Sequence, residues 1–276
     1  MEALVSCDWL FHNRNIENLI ILDSSTATNV AGLVPKQKEV QIPNSVFFDL
    51  KNSFSDSDHP LPNTLPAADN FESACQKLGI NKSSSIVVYD NLGIYSAPRV
   101  WWMFRVMGHK NVAVLDGGLP AWVEAEYETV SDYIIPTHLG DFMADFDESG
   151  LKESVEILKS LNDTEKLLID ARSEDRFYGK SPEPRIGMRS GHIPGSINIP
   201  FERVLKNGKY KSKAELEAMF MELNIRNKSL TFSCGSGLTA CIVLLSAELV
   251  LDNQTSVYDG SWAEWGQLSH LPIERG

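Results

Sequence analysis

The chain repeats itself at a spacing of about 145 residues, and this duplication constrains its fold more than any other feature. Ser85-Ile-Val-Val-Tyr-Asp90 is a short apolar run closed by a polar residue, and Ser229-Leu-Thr-Phe-Ser-Cys234 restates it. An amphipathic segment precedes each run, ending Leu78-Gly-Ile-Asn81 in one case and Leu223-Asn-Ile-Arg226 in the other. Each run leads into an apolar segment and then a matching turn, Asp116-Gly-Gly-Leu-Pro-Ala-Trp122 or Asp259-Gly-Ser-Trp-Ala-Glu-Trp265. Earlier landmarks keep the same order: Leu19-Ile-Ile-Leu-Asp23 with Leu167-Leu-Ile-Asp170, and Ile42-Pro-Asn-Ser45 with Ile193-Pro-Gly-Ser196. Such a series implies two copies of one fold.

Within each copy, short buried-type strands alternate with helical patterns, the signature of an α/β fold with a mainly parallel sheet flanked by helices. Phe71, Ala74, Cys75 and Leu78 share one helical face, and Gly79 is placed to end that helix. Ser212-Lys-Ala-Glu215 reads as a capping box opening a helix through about Leu223. Residues 238–250 are apolar almost all round and predict a buried helix. Residues 130–150 mix Pro136, Gly140 and acidic side chains without periodicity, which reads as a linker. The expected division is therefore 1–129, linker 130–150, and 151–276.

Charge and cysteine usage narrow the function classes. With 25 Lys+Arg against 37 Asp+Glu the net charge is −12, which argues against wrapping nucleic acid or lying on an anionic membrane. No apolar stretch approaches the ~20 residues of a membrane span. The first residues lack a basic region and a long apolar run, so no signal peptide is expected there. The four cysteines, Cys7, Cys75, Cys234 and Cys241, are irregularly spaced, which disfavours a disulfide framework or a zinc site and suggests a reducing cytoplasm. Cys75 and Cys241 fall inside apolar helical patterns and read as inert core thiols.

Cys234 differs. Cys234-Gly-Ser-Gly-Leu-Thr239 joins a strand ending at Ser233 to the buried helix, and in a parallel α/β sheet that junction is the carboxyl edge where ligands bind. A helix N-terminus favours a thiolate there, and Gly235 and Gly237 allow successive backbone N–H groups to curl around one centre. The pattern describes an activated sulfur nucleophile.

On these residues the chain resembles the tandem-domain sulfurtransferases of the rhodanese superfamily, and more narrowly the 3-mercaptopyruvate branch, whose active loop reads Cys-Gly-Ser-Gly-Val-Thr and differs here only at Leu238. Gly191-His-Ile-Pro-Gly195, Tyr258-Asp-Gly-Ser-Trp-Ala-Glu-Trp265 and Ser96-Ala-Pro-Arg-Val-Trp-Trp102 support it, and the similarity spans nearly the whole chain. The resemblance implies two rhodanese-like domains, the second catalytic and the first silent, with Asp90 at the repeat position of Cys234. It implies that Arg176 and Arg185 clamp the carboxylate and keto oxygen of mercaptopyruvate. The residue-level alternative for either is an ion pair with a neighbour such as Asp175 or Glu183. Gly235, Gly237, Leu238 and Thr239 complete the substrate-binding set. The resemblance also implies a Ser-His-Asp relay, with Ser236 as the serine and Asp56 as the aspartate. Where the family has its histidine this chain reads Pro62-Asn-Thr-Leu-Pro66, placing Asn63 there, with His59 nearby as a candidate substitute.

The expected reaction moves sulfur from 3-mercaptopyruvate through a persulfide on Cys234 to a thiol acceptor, either a small thiol or a thioredoxin-like protein, or to cyanide, with no metal or organic cofactor. Thiosulfate:cyanide transfer is the alternative within the family. It suits loops with basic residues after the cysteine, whereas residues 233–240 carry no charge here. A non-catalytic persulfide carrier is the alternative outside catalysis. A cysteine phosphatase needs an arginine where this chain has Ala240.

Overall fold

The computed structural model describes every residue except 38, 224 and 226, so Asn224 and Arg226 of the second amphipathic landmark lie outside the described residues. In chain order the first half runs β1 (Leu4–Val5), α1 (Cys7–Asn13), β2 (Leu19–Asp23), β3 (Ser45–Phe47), α2 (Ala68–Lys77), β4 (Ser85–Tyr89), α3 (Ala97–Val106), β5 (Val112–Leu115) and α4 (Gly118–Glu124). There follow β6 (Leu151–Lys152), α5 (Ser154–Ser160), β7 (Lys166–Asp170), α6 (Glu174–Phe177), β8 (Ile197–Asn198), β9 (Leu205–Lys206), β10 (Lys209–Tyr210), α7 (Lys213–Met221), β11 (Ser229–Ser233), α8 (Ala240–Glu248), β12 (Thr255–Tyr258) and α9 (Ser261–Trp265).

The chain divides into two compact units, one of Met1–Ser57, Leu65–Asp147 and Asn207–Tyr210, the other of Asp58–Thr64, Glu148–Lys206 and Lys211–Gly276. Each holds a five-stranded parallel sheet, ordered β1-β5-β4-β2-β3 in the first and β6-β12-β11-β7-β8 in the second. The sequence repeat is therefore a topological repeat, with β4 and β11 as the central strands. Strands covered on both faces need apolar side chains throughout, which is why Ile86, Val87, Val88 and Tyr89 of β4 are all buried.

Local chemistry sets the element ends. Gly79 takes φ 71° just beyond α2, the left-handed conformation that closes a helix. The Ser212 hydroxyl and Glu215 form the expected capping box of α7, which ends at Met221, two residues short of the expected end. Residues Ala240 to Ala247 of α8 are buried on every side. Trp101, Trp122, Trp262 and Trp265 are core residues. The segment expected as a linker runs along the first unit: Val130 bridges Gln41, the Gly140 amide donates to Gln76 O at 2.8 Å, and Phe142 is fully buried.

Candidate active site

The site grows from the central strand of the second unit. Paired on both sides, β11 delivers Cys234 to the carboxyl edge of its sheet, where the side chain is only 2 % exposed. From there the chain turns through Gly237, at φ 75°, into α8. The loop is pinned from an unexpected quarter. Ser261 Oγ accepts the amides of both Cys234, at 3.2 Å, and Gly237, at 3.1 Å, while donating to Tyr258 O at 2.8 Å. The return contacts are equally local to the loop: Trp262 N donates to Cys234 O at 3.0 Å and Ala263 N to Gly235 O at 2.9 Å. Not every loop amide therefore faces the sulfur. Among the described residues, those of Gly235, Ser236 and Leu238 donate to no protein acceptor, so they are the donors available to an anion. Leu238 O and Thr239 O accept the second and third amides of α8, from Cys241 and Ile242.

The other cysteines are free thiols as well, but differently placed. Burial pushes the Cys75 thiol well above its ordinary value and the Cys7 thiol to about 11, so neither supplies a thiolate near neutrality. Cys241 is fully buried and directs its sulfur at Gly237 O, 3.4 Å away.

Charge reaches the loop from residues 172–185. Glu183, whose side chain is 1 % exposed, lies between two guanidinium groups, Arg172 Nη1 at 2.8 Å and Arg176 Nη2 at 2.6 Å. Arg172 is itself buried. It grips Asp170 at the end of β7, donates to Gly191 O at 2.8 Å and lies 4.2 Å over the Trp262 ring. Burial opposes its charge, but Asp170 and Glu183 more than offset that and hold its pKa above the ordinary arginine value. This frame aims Arg176 at the loop, where a Cβ added to Gly235 would come within 3.2 Å of its Nη2. Arg185 arrives from the other end of the segment, with Nη1 3.4 Å from Gly235 O. Arg176 thus both makes the ion pair with Glu183 and sits against the loop. Glu183, weighed in the sequence as an ion-pair neighbour of these arginines, is the partner of Arg176, whereas Arg172 escaped the sequence reading, although Asp170-Ala-Arg172 directly after a buried strand was a visible signal of charge at the carboxyl edge.

Asn63 belongs to the second unit and its Nδ2 donates to Ser236 Oγ at 2.9 Å. His59 is exposed, and its Nδ1 is within hydrogen-bond distance of Leu61 N, at 3.2 Å, and of Thr64 Oγ1, at 3.1 Å. Asp56 falls in the first unit. His192 is structural: its ring stacks on Phe177 at 3.8 Å and its Nδ1 meets Phe177 O at 2.9 Å.

The first unit shows what the corresponding loop does without a cysteine. Asp90 follows β4 as Cys234 follows β11, and its carboxylate is wholly buried among backbone donors. Oδ2 accepts the amides of Tyr95, Ser96 and Ala97 at 2.8, 2.9 and 3.0 Å, and Oδ1 accepts that of Leu92 at 2.9 Å. A loop of this kind gathers amides around an anion, and here the anion is the protein's own side chain. Burial pushes the Asp90 carboxyl up against the opposing pull of those amides.

Comparison with known proteins agrees with this architecture. The rhodanese-like domain model matches residues 6–125 and again 154–268. The 3-mercaptopyruvate sulfurtransferase of Rattus norvegicus is 40% identical over 274 residues, covering 96% of this chain and 92% of its own. That of Escherichia coli K12 is 35% identical over 277 residues, covering 98% and 97%. The crystal structure of the Escherichia coli 3-mercaptopyruvate sulfotransferase SseA superposes with a TM-score of 0.82 at 32% identity, covering 96% of this chain and all of that one. The chain belongs to the rhodanese family and carries two rhodanese-like domains in tandem.

Proposed function

We propose that the chain is a 3-mercaptopyruvate sulfurtransferase whose chemistry resides in the second domain. The observation that carries this reading is the pairing of an uncharged cysteine loop with two arginines brought to Gly235 from outside it. Forked guanidinium groups match the carboxylate and keto oxygen of a 2-oxo acid, and a loop that carries no charge itself suits a donor whose charge lies at the far end from its reacting atom.

In the first half-reaction the Cys234 thiolate attacks the donor sulfur while Arg176 and Arg185 hold the carboxylate end. A sulfur–sulfur bond forms, the carbon–sulfur bond breaks, and its electron pair leaves as the enolate of pyruvate. The proton of the donor thiol passes to that enolate, so the products are pyruvate and a Cys234 persulfide anion. The amides of Gly235, Ser236 and Leu238, with either the Ser236 or the Thr239 hydroxyl, stabilise this anion in a site where Cys234 is nearly shielded from water. In the second half-reaction an acceptor thiolate, from a small thiol or a thioredoxin-like protein, or cyanide, attacks the outer sulfur and regenerates the Cys234 thiolate. Asp56 is assigned the family's acidic role on resemblance alone. The first domain is the silent copy, its loop already filled by Asp90. A cytoplasmic setting completes the reading, and it rests on the sparse, free cysteines. Steady-state kinetics with 3-mercaptopyruvate and with thiosulfate test the proposal: pyruvate release with a clear preference for mercaptopyruvate supports it, and a preference for thiosulfate overturns it.

A further inference from the structure

The relay residue at the mouth of the loop is an amide where the family's pattern has an imidazole, and the two groups differ in what they can do with a proton. Asn63 sits at φ 60°, a left-handed conformation that asparagine tolerates better than most residues, and this turns its side chain onto Ser236. The orientation of the amide follows from its contacts. It lies 2.9 Å from Ser236 Oγ and 3.4 Å from Ser236 O, and a carbonyl oxygen only accepts, so the nitrogen faces Ser236. The hydroxyl therefore receives a hydrogen bond from Asn63 and keeps its own proton for another acceptor. Among the described residues no protein group takes that proton, and Ser236 lies two residues beyond the nucleophile. Among the described residues no hydrogen bond joins His59 to Ser236, and the His59 Nδ1 faces Leu61 N and Thr64 Oγ1 instead.

We propose that Asn63 is a positioning residue that locks the Ser236 hydroxyl as a hydrogen-bond donor toward the departing enolate, replacing a base relay with a base-free one. An amide neither removes nor supplies a proton near neutrality, so Ser236 stays protonated throughout and contributes a hydrogen bond rather than proton transfer. No bond to hydrogen breaks at Ser236, and the enolate still takes its proton from the donor thiol as above. This inference rests on the mercaptopyruvate reading only for the identity of the leaving group.

The test is a double-mutant cycle with Asn63→Gly, which keeps the left-handed backbone without strain, and Ser236→Ala. Asn63→Gly should lower kcat by about tenfold, the size of one lost neutral hydrogen bond, with KM nearly unchanged. In the Ser236→Ala background the same change should have almost no effect. Asn63→His should restore activity in part and add a pH-dependent limb near the imidazole range, ~6.5, that wild type lacks. A full loss from Asn63→Gly that persists without the Ser236 hydroxyl would mean a merely structural role and overturn the proposal, as would wild-type kcat in Asn63→Gly. Wild-type turnover of mercaptopyruvate is scored first. Its absence overturns the donor assignment alone, and the Asn63–Ser236 coupling is then read on persulfide formation from thiosulfate, where additive losses overturn the positioning role and coupled losses support it.

Discussion

Ser261 Oγ holds the Cys234 amide at 3.2 Å, tying the nucleophile of the loop to the residue that starts α9, and the same oxygen holds the Gly237 amide at 3.1 Å. One hydroxyl fully buried at 0 % exposure thus fixes both ends of the tightest part of the loop. Ser261 adopts φ 50°, a conformation costly for a residue with a Cβ, so the contacts it makes must outweigh that strain.

Ser261→Ala should therefore lower stability by about 2 kcal/mol, because two buried amides lose their acceptor. Sulfur transfer should fall by at least about tenfold through misplacement of the Cys234 loop. Urea unfolding and steady-state kinetics check the two effects, and wild-type values for both would show that Ser261 does not hold the loop.

The arginine pair should set donor choice. Arg176→Ala or Arg185→Ala should reduce kcat/KM for mercaptopyruvate by roughly ten- to a hundredfold, with lysine rescuing only in part because an ammonium cannot form the forked pair. Glu183→Gln should raise KM as well, since Glu183 anchors Arg176 at 2.6 Å while also neutralising Arg172. Wild-type kinetics in all of these variants would remove the carboxylate clamp from the account.

Asp90→Asn places an NH2 group among four backbone donors and removes the charge they surround. The first domain should lose about 1–3 kcal/mol of stability while sulfur transfer by the folded protein changes only by a small factor. Differential scanning calorimetry alongside activity measures both. A large activity loss in a variant of unchanged stability would show chemistry in the first domain.

The capping box predicts an acid-sensitive contribution in the second domain. The Ser212 hydroxyl, then Lys206 and the Ser212 amide, hold the exposed Glu215 carboxyl at about 2, below its ordinary 4.5. A carboxyl depressed in the folded state stabilises above its unfolded value and loses that stabilisation as pH falls from about 4.5 toward 2. Ser212→Ala should flatten this part of the stability curve, and parallel curves for the two proteins would contradict the assignment.

The repeat, the buried central strands and the Cys234 loop were legible because each is written in contiguous residues whose periodicity or turn chemistry is local. The parts that hold the site together were not. Ser261 stands 27 positions from the Cys234 amide it accepts, Arg185 50 positions from Gly235, and Asn63 173 positions from Ser236. Only folding the sheet brings them together. His59 looked available because it is near Asn63 in sequence, yet its Nδ1 lies against its own turn at Leu61 and Thr64. The segment after Val130 looked like a linker because its polar pairings are with backbone groups far away in sequence, such as Gln76 O.

The central claim is that Cys234 carries the transferred sulfur. Peptide mass spectrometry of the protein after reaction with 3-mercaptopyruvate, without acceptor, should find one added sulfur atom on the peptide containing Cys234. Cys234→Ser should fold normally, take up no sulfur and release no pyruvate. Sulfur on Cys7, Cys75 or Cys241 instead, or pyruvate release by Cys234→Ser at the wild-type rate, would contradict the account.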